Sequence, residues 1–548
     1  MSPNTNPADS CIEHVNAAQV IARRLREAGV KYAFGIPGGE VLTMMDALDE
    51  VGIEFVLVKH ENCGGFMGEA TYHRNHTPAV LLTTVGPGAA NAFNVVANAQ
   101  QDRVPLIFLT GRVDSATAYS YTHQIFDHAA AFMPVVKASF TATNGAIDVM
   151  IDKAVSIALD DPPGPVHIDI PIAVACTLEP QVAPVRRIRA APMAPAVTAE
   201  FRLAREWIRQ ARRPLALAGV EVLSQRCAAQ IATLLKEHQI PLITTYKAKG
   251  ILDERHPLAL GGAGLSPLAD SVLLSVLHEA DLIVLVGYDP IEMRGGWRNP
   301  WRRDTRVIEI TATTNTHYMH QASISFVGHV GETMAALYEG QKTLANWTLT
   351  ELDAKRHTLM DAFGTAETWG PAAIVDTVRK VMPENTLASV DSGAHRILLS
   401  QVWQCTEPHG LMQSTGLCTM GCALPLALGA KLVNPERPVV CFSGDAGLEM
   451  VLGELATARD REIGVICVVF VDASLALIEL KQRGSGMRKL GVEFGVTDFA
   501  AVARAMGGLG FDVRTRMELV EALNQSMHSN RFSVIACQIQ RSEYDGRI

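Results

Sequence analysis

Apolar residues along this chain gather into short continuous runs, separated by stretches with helical spacing. "AAQVIARRLREAGV" repeats its apolar positions at helical intervals from Ala17, and "YAFGIPGG" is a short run stopped by a glycine turn. "FVLVKHE", "AVLLTTVGPG", "VPLIFLTG" and "PVHIDIP" follow, each ending in polar or glycine-rich residues. Runs of this kind are strands buried on both faces, and their alternation with helices predicts a parallel sheet covered on both sides. The same pattern returns in "PLALAG", "PLITTY", "DLIVLVG" and "RVIEIT", and again in "TLASVDSG", "PVVCFSGDAG", "VICVVFVDAS" and "FSVIACQI". Between the first two sets, residues 179–197 are rich in Pro, Ala and Arg without periodicity and are expected to be a linker. Residues 351–370 are expected to form a charged helical link. The prediction is an α/β protein of three doubly wound parallel-sheet domains, spanning 1–180, 195–345 and 365–548, their similar size suggesting one common plan.

Length agrees, since 548 residues exceed what one core can bury. Hydrophobic content of 48% and charged content of 19% exclude a disordered or fibrous chain. A formal net charge of −9 disfavours nucleic acid and anionic membranes as partners. The cysteines are scattered, with no CxxC pair and no Cys/His ligand spacing. The polar start "MSPNTNPADSCIEHVNA" has no apolar signal core, so a reducing cytoplasm is expected. The stretch from Asn75 to Gln101, free of acids, Lys and Arg, is broken by "GPG" and three asparagines, and reads as buried rather than membrane-spanning.

Two strand runs each deliver a carboxylate where they stop: "PVVCFSG" ends on Asp445 and "VICVVFV" on Asp472. A helical segment, Leu448 to Arg459, is expected to join them into one βαβ unit, which puts both acids at the edge where open parallel sheets bind ligands. Adjacent buried carboxylates repel unless a cation lies between them, and a hard divalent ion with phosphate oxygens resolves the conflict. Gly444, Ala446 and Gly447 leave backbone N–H groups free to face an anion. The competing reading is a helix-cap aspartate beside a turn aspartate. In "VLVKHENCGGFMGEA", Glu61 stands where a strand ends and a small-residue helix begins; a carboxyl there can exchange a proton with a ring nitrogen, or simply favour the helix dipole.

Four motifs in order, "KHENCGGFMGEA", "VGPGAANAFNVVANAQQDRVPLIFLTG", "STGLCTMGCALPLALGAKL" and "SGDAG" through "VDASLALIELKQ", resemble the thiamine diphosphate-dependent acetolactate synthase-like enzymes. The likeness runs from about residue 15 to 540. It implies a pyrimidine-binding first domain, a central domain and a diphosphate-binding third domain. It implies that Glu61 activates the aminopyrimidine ring, with Gln124 an active-site glutamine and His123 a second proton donor. Pro37, Gly38, Gly39, Pro87 and Asn91 would face the cofactor in the first domain. In the third, Gly393, His395, Gly416, Met420, Gly444, Ala446 and Gly447 would do so, together with Leu475, Ala476, Leu477 and Ile478; Met420 is the wedge under the bent cofactor. Asp445, Asp472 and the backbone carbonyl of Ser474 would hold Mg²⁺.

The implied reaction decarboxylates pyruvate or a similar 2-keto acid and joins the activated aldehyde to a second carbonyl. The implied assembly is a homodimer at minimum and commonly a homotetramer, each cofactor taking the first domain of one chain and the third of another. FAD in the central domain is expected from kinship alone, since no GxGxxG fingerprint is present. Three departures stand out: Asp472 replaces the usual asparagine, "GDA" replaces "GDG", and Lys481 stands where enzymes favouring 2-ketobutyrate carry tryptophan. "PLITTYKAKGILDERHPL", "VGYDPIEM" and "THQ" also resemble carboxyethylarginine synthase, so carbon–nitrogen bond formation is the alternative, with diketone hydrolysis and sulfoacetaldehyde chemistry sharing the same cofactor.

Overall fold

The computed structural model describes residues 14–180, 191–291 and 293–548. The chain divides into two compact units, Met1–Arg189 and Ala190–Ile548. The first holds one six-stranded sheet and the second holds two, and every pair in these three sheets is parallel.

In the first sheet, numbered by chain order, the strands are Tyr32–Ile36, Glu54–Leu57, Ala79–Thr83, Leu106–Arg112, Ala138–Thr141 and Val166–Pro171, arranged 2-1-3-4-6-5. The last sheet is built from Leu387–Val390, Leu411–Gln413, Val439–Gly444, Ile466–Val471, Leu509–Val513 and Ser533–Gln538 in the same 2-1-3-4-6-5 order. The central sheet differs. Its strands Pro214–Ala218, Leu242–Thr245, Ala259–Ala263, Leu282–Val286, Arg306–Thr311 and Ile324–Val327 run 3-2-1-4-5-6. A plan common to all three therefore holds only for the outer two.

The interior strands are buried throughout, as in "ICVVFV" of Ile466–Val471 and "LIVLV" of Leu282–Val286. Each buried Val, Ile or Leu contributes roughly 1.5–3 kcal/mol, so strand tips at the carboxyl edge are held on a stiff frame.

Three expectations need correction. Leu178–Pro180 is a strand pairing antiparallel with His14–Asn16, so the linker begins later than residue 179, and its residues 181–190 lie outside the described ones. The segment Leu448 to Arg459 is not one helix. It forms Asp445–Glu449 and Glu454–Asp460 with a turn between, because Gly453 interrupts the apolar spacing. The charged link is helical only over Leu349–Asp361.

Candidate active site

Open parallel sheets bind ligands where the strand order reverses, outside the carboxyl ends. In the first unit the reversal lies between Tyr32–Ile36 and Ala79–Thr83, so Pro37–Gly39 and Thr84–Gly88 are the tips that face it. Glu61 opens the helix Glu61–Asn75, whose N-cap His60 accepts from the Asn62 amide at 3.2 Å. Glycines bring this helix close: a Cβ at Gly68 would meet the Ala79 Cβ at 2.9 Å, and one at Gly65 would meet Val95 at 2.4 Å. Glu61 is thereby buried, 4% exposed, and its Oε2 accepts from Asn91 Nδ2 at 2.9 Å. Pro87 and Asn91 bound one short helix beside it, and a Cβ on Gly88 would lie 3.4 Å from Glu61 Oε1. Glu61, Pro87 and Asn91 are thus gathered. Gly38 packs on Thr84, whose hydroxyl donates to Glu40 at 2.6 Å. Gln124 and His123 are exposed, and among the described residues no hydrogen bond joins either to Glu61. Gln124 sits at φ 57 with its carbonyl pressed on Gly86, where a Cβ would come within 2.3 Å.

Sequence reading missed what anchors this loop. His128 Nε2 accepts from the Gly86 amide at 3.3 Å, which leaves the proton on Nδ1 to donate to Asp169 Oδ1 at 2.7 Å. Asp169 also accepts from Thr110 Oγ1 at 2.6 Å and from Arg112 at 2.7 Å. Burial opposes ionisation of Asp169, yet the bonds from His128 and His167 hold its carboxyl far below the usual range. His128, His167 and Asp169 are close enough for metal ligands. The 2.7 Å separation is a hydrogen bond, however, and each group is already satisfied, so the cluster is structural. His128→Leu should leave the buried Gly86 amide without an acceptor and take one donor from Asp169 Oδ1, which keeps Thr110, costing roughly 1–3 kcal/mol. A lower urea midpoint with an unchanged slope is the expected reading.

In the second unit, the last sheet reverses between Leu387–Val390 and Val439–Gly444. A cavity of about 350 Å³ opens there, lined by Gly393, His395, Met420, Gly444, Asp445, Ala446, Gly447, Asp472 and Ser474. Leu475, Ala476, Leu477 and Ile478 complete it. Of the residues expected in this domain, only Gly416 is not among the lining residues. Asp445 Oδ1 accepts from the Ala446 amide at 2.8 Å, and Oδ2 from the amides of Asp472 and Ala473 at 3.0 and 2.7 Å. Asp445 thus holds the Asp472–Ala473 loop, which sets the second acid beside it. Ala473 pays for that turn with a left-handed φ of 53. Arg541 donates to the carbonyls of Asp472 and Ala473, while among the described residues no hydrogen bond falls on the Ser474 carbonyl.

Burial, and then the Asp445 charge, push the Asp472 carboxyl up to about 7, and burial raises Asp445 as well. Two acids so placed call for a cation. Three further groups call for a ligand: Ser392 Oγ, Ser474 Oγ and His395 Nε2 are buried without a partner. His395 stacks on Phe470 at 5.4 Å, and burial pushes its imidazole down to about 4, so it is neutral. Gly393 and Gly444 flank it, and Cβ atoms there would meet its ring at 2.5 and 3.1 Å. The donor set fits a metal-bound diphosphate.

Asp391, at the tip of Leu387–Val390, was not singled out by its sequence position. It accepts from the amides of Gly421 and Cys422 at 2.9 and 3.1 Å and from Ser443 Oγ at 3.2 Å, fixing the turn that carries Met420.

The central sheet has the 3-2-1-4-5-6 order of dinucleotide-binding folds. An acid, however, stands at the tip of its first strand. Glu221, just after the first strand, sends its carboxylate to the Thr311 hydroxyl at 3.1 Å and the Ala312 amide at 2.8 Å. The helix it starts, Glu221–Ser224, has four residues. A fixed anion and a stub of helix stand where a pyrophosphate bound in the dinucleotide manner needs amides and a dipole, so that strand tip offers FAD no such seat.

Comparison with known proteins agrees with this geometry. Residues 15–131, 202–337 and 391–537 match the N-terminal TPP binding, central and C-terminal TPP binding domains of thiamine pyrophosphate enzymes. Acetolactate synthase of Bacillus subtilis (strain 168) is 28% identical across 99% of this chain and 96% of its own length. Acetolactate synthase isozyme 1 large subunit of Escherichia coli (strain K12) is 29% identical across 85% of this chain and 83% of its own length. The probable acetolactate synthase large subunit of Methanococcus aeolicus is 25% identical across 94% and 90%. Three domain matches in order, on a fold whose two outer sheets present their tips at equivalent places, mean that the chain belongs to the thiamine diphosphate-dependent, acetolactate synthase-like enzymes.

Proposed function

We propose that this enzyme decarboxylates pyruvate or a closely similar 2-oxo acid and joins the remaining fragment to a second carbonyl compound. The observation that carries the reading is the cavity of the last sheet, where paired carboxylates face three buried polar atoms that lack partners. Thiamine diphosphate, when bound, supplies the electron sink for carbon dioxide loss. Asp445, Asp472 and the Ser474 carbonyl would hold Mg²⁺, and Ser392 would donate to a phosphate oxygen beside the neutral His395. Met420 would press on the cofactor from below, kept in place by Asp391. Glu61 would exchange a proton with the pyrimidine, its carboxylate oriented by Asn91. Gln124 and His123, exposed in a single chain, would meet the substrate.

Kinship supports a homodimer as the minimal active form, with each cofactor served by Glu61 of one chain and the carboxylate pair of another, and a homotetramer as the full assembly. Among the described residues no disulfide joins the nine cysteines and no helix is long and apolar enough to cross a membrane; reduced thiols favour the cytoplasm. Incubation with thiamine diphosphate, Mg²⁺ and pyruvate should release CO₂ and form acetolactate. Failure of every 2-oxo acid in a panel to lose CO₂ would refute the reading.

A further inference from the structure

The cavity of the last sheet is lined by charges of both signs. Asp445 and Asp472 are its acids, which a metal ion would meet. Arg294 and Lys481 line the same cavity, and neither belongs to an ion pair among the described residues. Lys481 lies one helical turn after Leu477 on the helix Ala476–Gly484, so both side chains share the face turned to the cavity. The neighbouring acid Glu479 is already engaged by Arg483 and Lys489 at 3.3 and 2.9 Å, and Arg483 also binds Asp545. Arg294 precedes the short turn Gly295–Trp297, and its charge acts on the half-buried Asp270. Beside them the wall is apolar, with Leu265, Met420, Leu477 and Ile478.

Two cations facing an apolar cavity need an anionic ligand. A cation gripping the carboxylate that leaves as CO₂ would stabilise the ground state and slow the reaction. The anionic groups that these side chains serve are therefore ones that remain in the product. Resting on the function proposed above, we infer that Arg294 and Lys481 bind an acceptor carrying two retained anionic groups, a 2-oxo dicarboxylate or its sulfonate counterpart.

The step balances without an outside oxidant. The C1–C2 bond of pyruvate breaks, and CO₂ departs without the bonding pair. That pair forms the new bond to the acceptor carbonyl carbon, whose oxygen takes one proton.

The test supplies the holoenzyme with pyruvate and one of three acceptors: 2-oxobutanoate, 2-oxoglutarate or 3-sulfopyruvate. The parent should use one of the dianions at least about tenfold better in kcat/KM than 2-oxobutanoate, the worth of one charge-assisted hydrogen bond. The arm that wins identifies carboxylate or sulfonate as the second group. Lys481→Gln and Arg294→Gln should each erase most of that preference through KM, and Lys481→Arg should restore it. A second readout is calorimetric binding of glutarate against butanoate, which requires no turnover. Equal use of mono- and dianionic acceptors, or a preference unmoved in Lys481→Gln, overturns the assignment. If no 2-oxo acid loses CO₂, the proposed function fails and calorimetry alone decides: glutarate binding no tighter than butanoate overturns the clamp, and tighter binding that Lys481→Gln abolishes sustains it.

Discussion

Glu61→Gln should lower kcat by roughly 10²–10⁴-fold, the range typical of a lost general acid–base group, while thiamine diphosphate still binds within a few-fold of the parent. The substitution preserves shape, so the amide can still meet Asn91 in the pocket that now seats the carboxylate at 4% exposure. What it removes is the capacity to give and take a proton. A scaffold role predicts the opposite pairing, lost stability with normal turnover. Thermal unfolding beside steady-state kinetics separates the two, and parental turnover in the variant would end the assignment of Glu61.

The second large effect concerns position 472. Asp472 lies in a site that already holds Asp445, and its carboxyl is pushed up to about 7 by burial and then by that neighbour. In the absence of a cation the site therefore keeps a proton below that pH. A divalent ion must displace it, so cation binding in the parent should release a proton near neutrality and tighten as pH rises towards about 7. Asp472→Asn removes the extra charge as well as the proton. Dialysis against a chelator, followed by assay of retained thiamine diphosphate, should show the parent losing cofactor faster than the variant. Asp445→Asn should lose it fastest, because Asp445 also holds the amides of Asp472 and Ala473. Equal loss from parent and Asp472→Asn would show that the second acid is electrostatically idle.

How much of this was legible beforehand follows from burial. Strands such as Ile466–Val471 and Leu282–Val286 lie inside sheets, so both faces are apolar and the run is unbroken. The strands that escaped notice are mostly edges: Ala138–Thr141 and Leu509–Val513 are half-exposed, Ile324–Val327 alternates, and Leu411–Gln413 has three residues. Ala259–Ala263 is hidden by its two glycines. The carboxylates at strand tips were readable because their chemistry needs no partner to be recognised. His128 and Asp391 were not, since each works through a backbone amide far away in sequence, Gly86 in one case and Gly421 in the other. Glu221 is a similar case. Nothing in "GVEVLS" reveals that its carboxylate bridges to Thr311, ninety residues on.

The order of strands in the last sheet also has a bearing on biosynthesis. Ile466–Val471, which presents Asp472, is flanked on one side by Val439–Gly444 and on the other by Ser533–Gln538. A nascent chain emerging from the ribosome would thus expose one flank of that strand until the later segment arrives. Loading of the coenzyme must then await late translation, and a chain halted before Ser533 would be a ready client for chaperones rather than an apoenzyme.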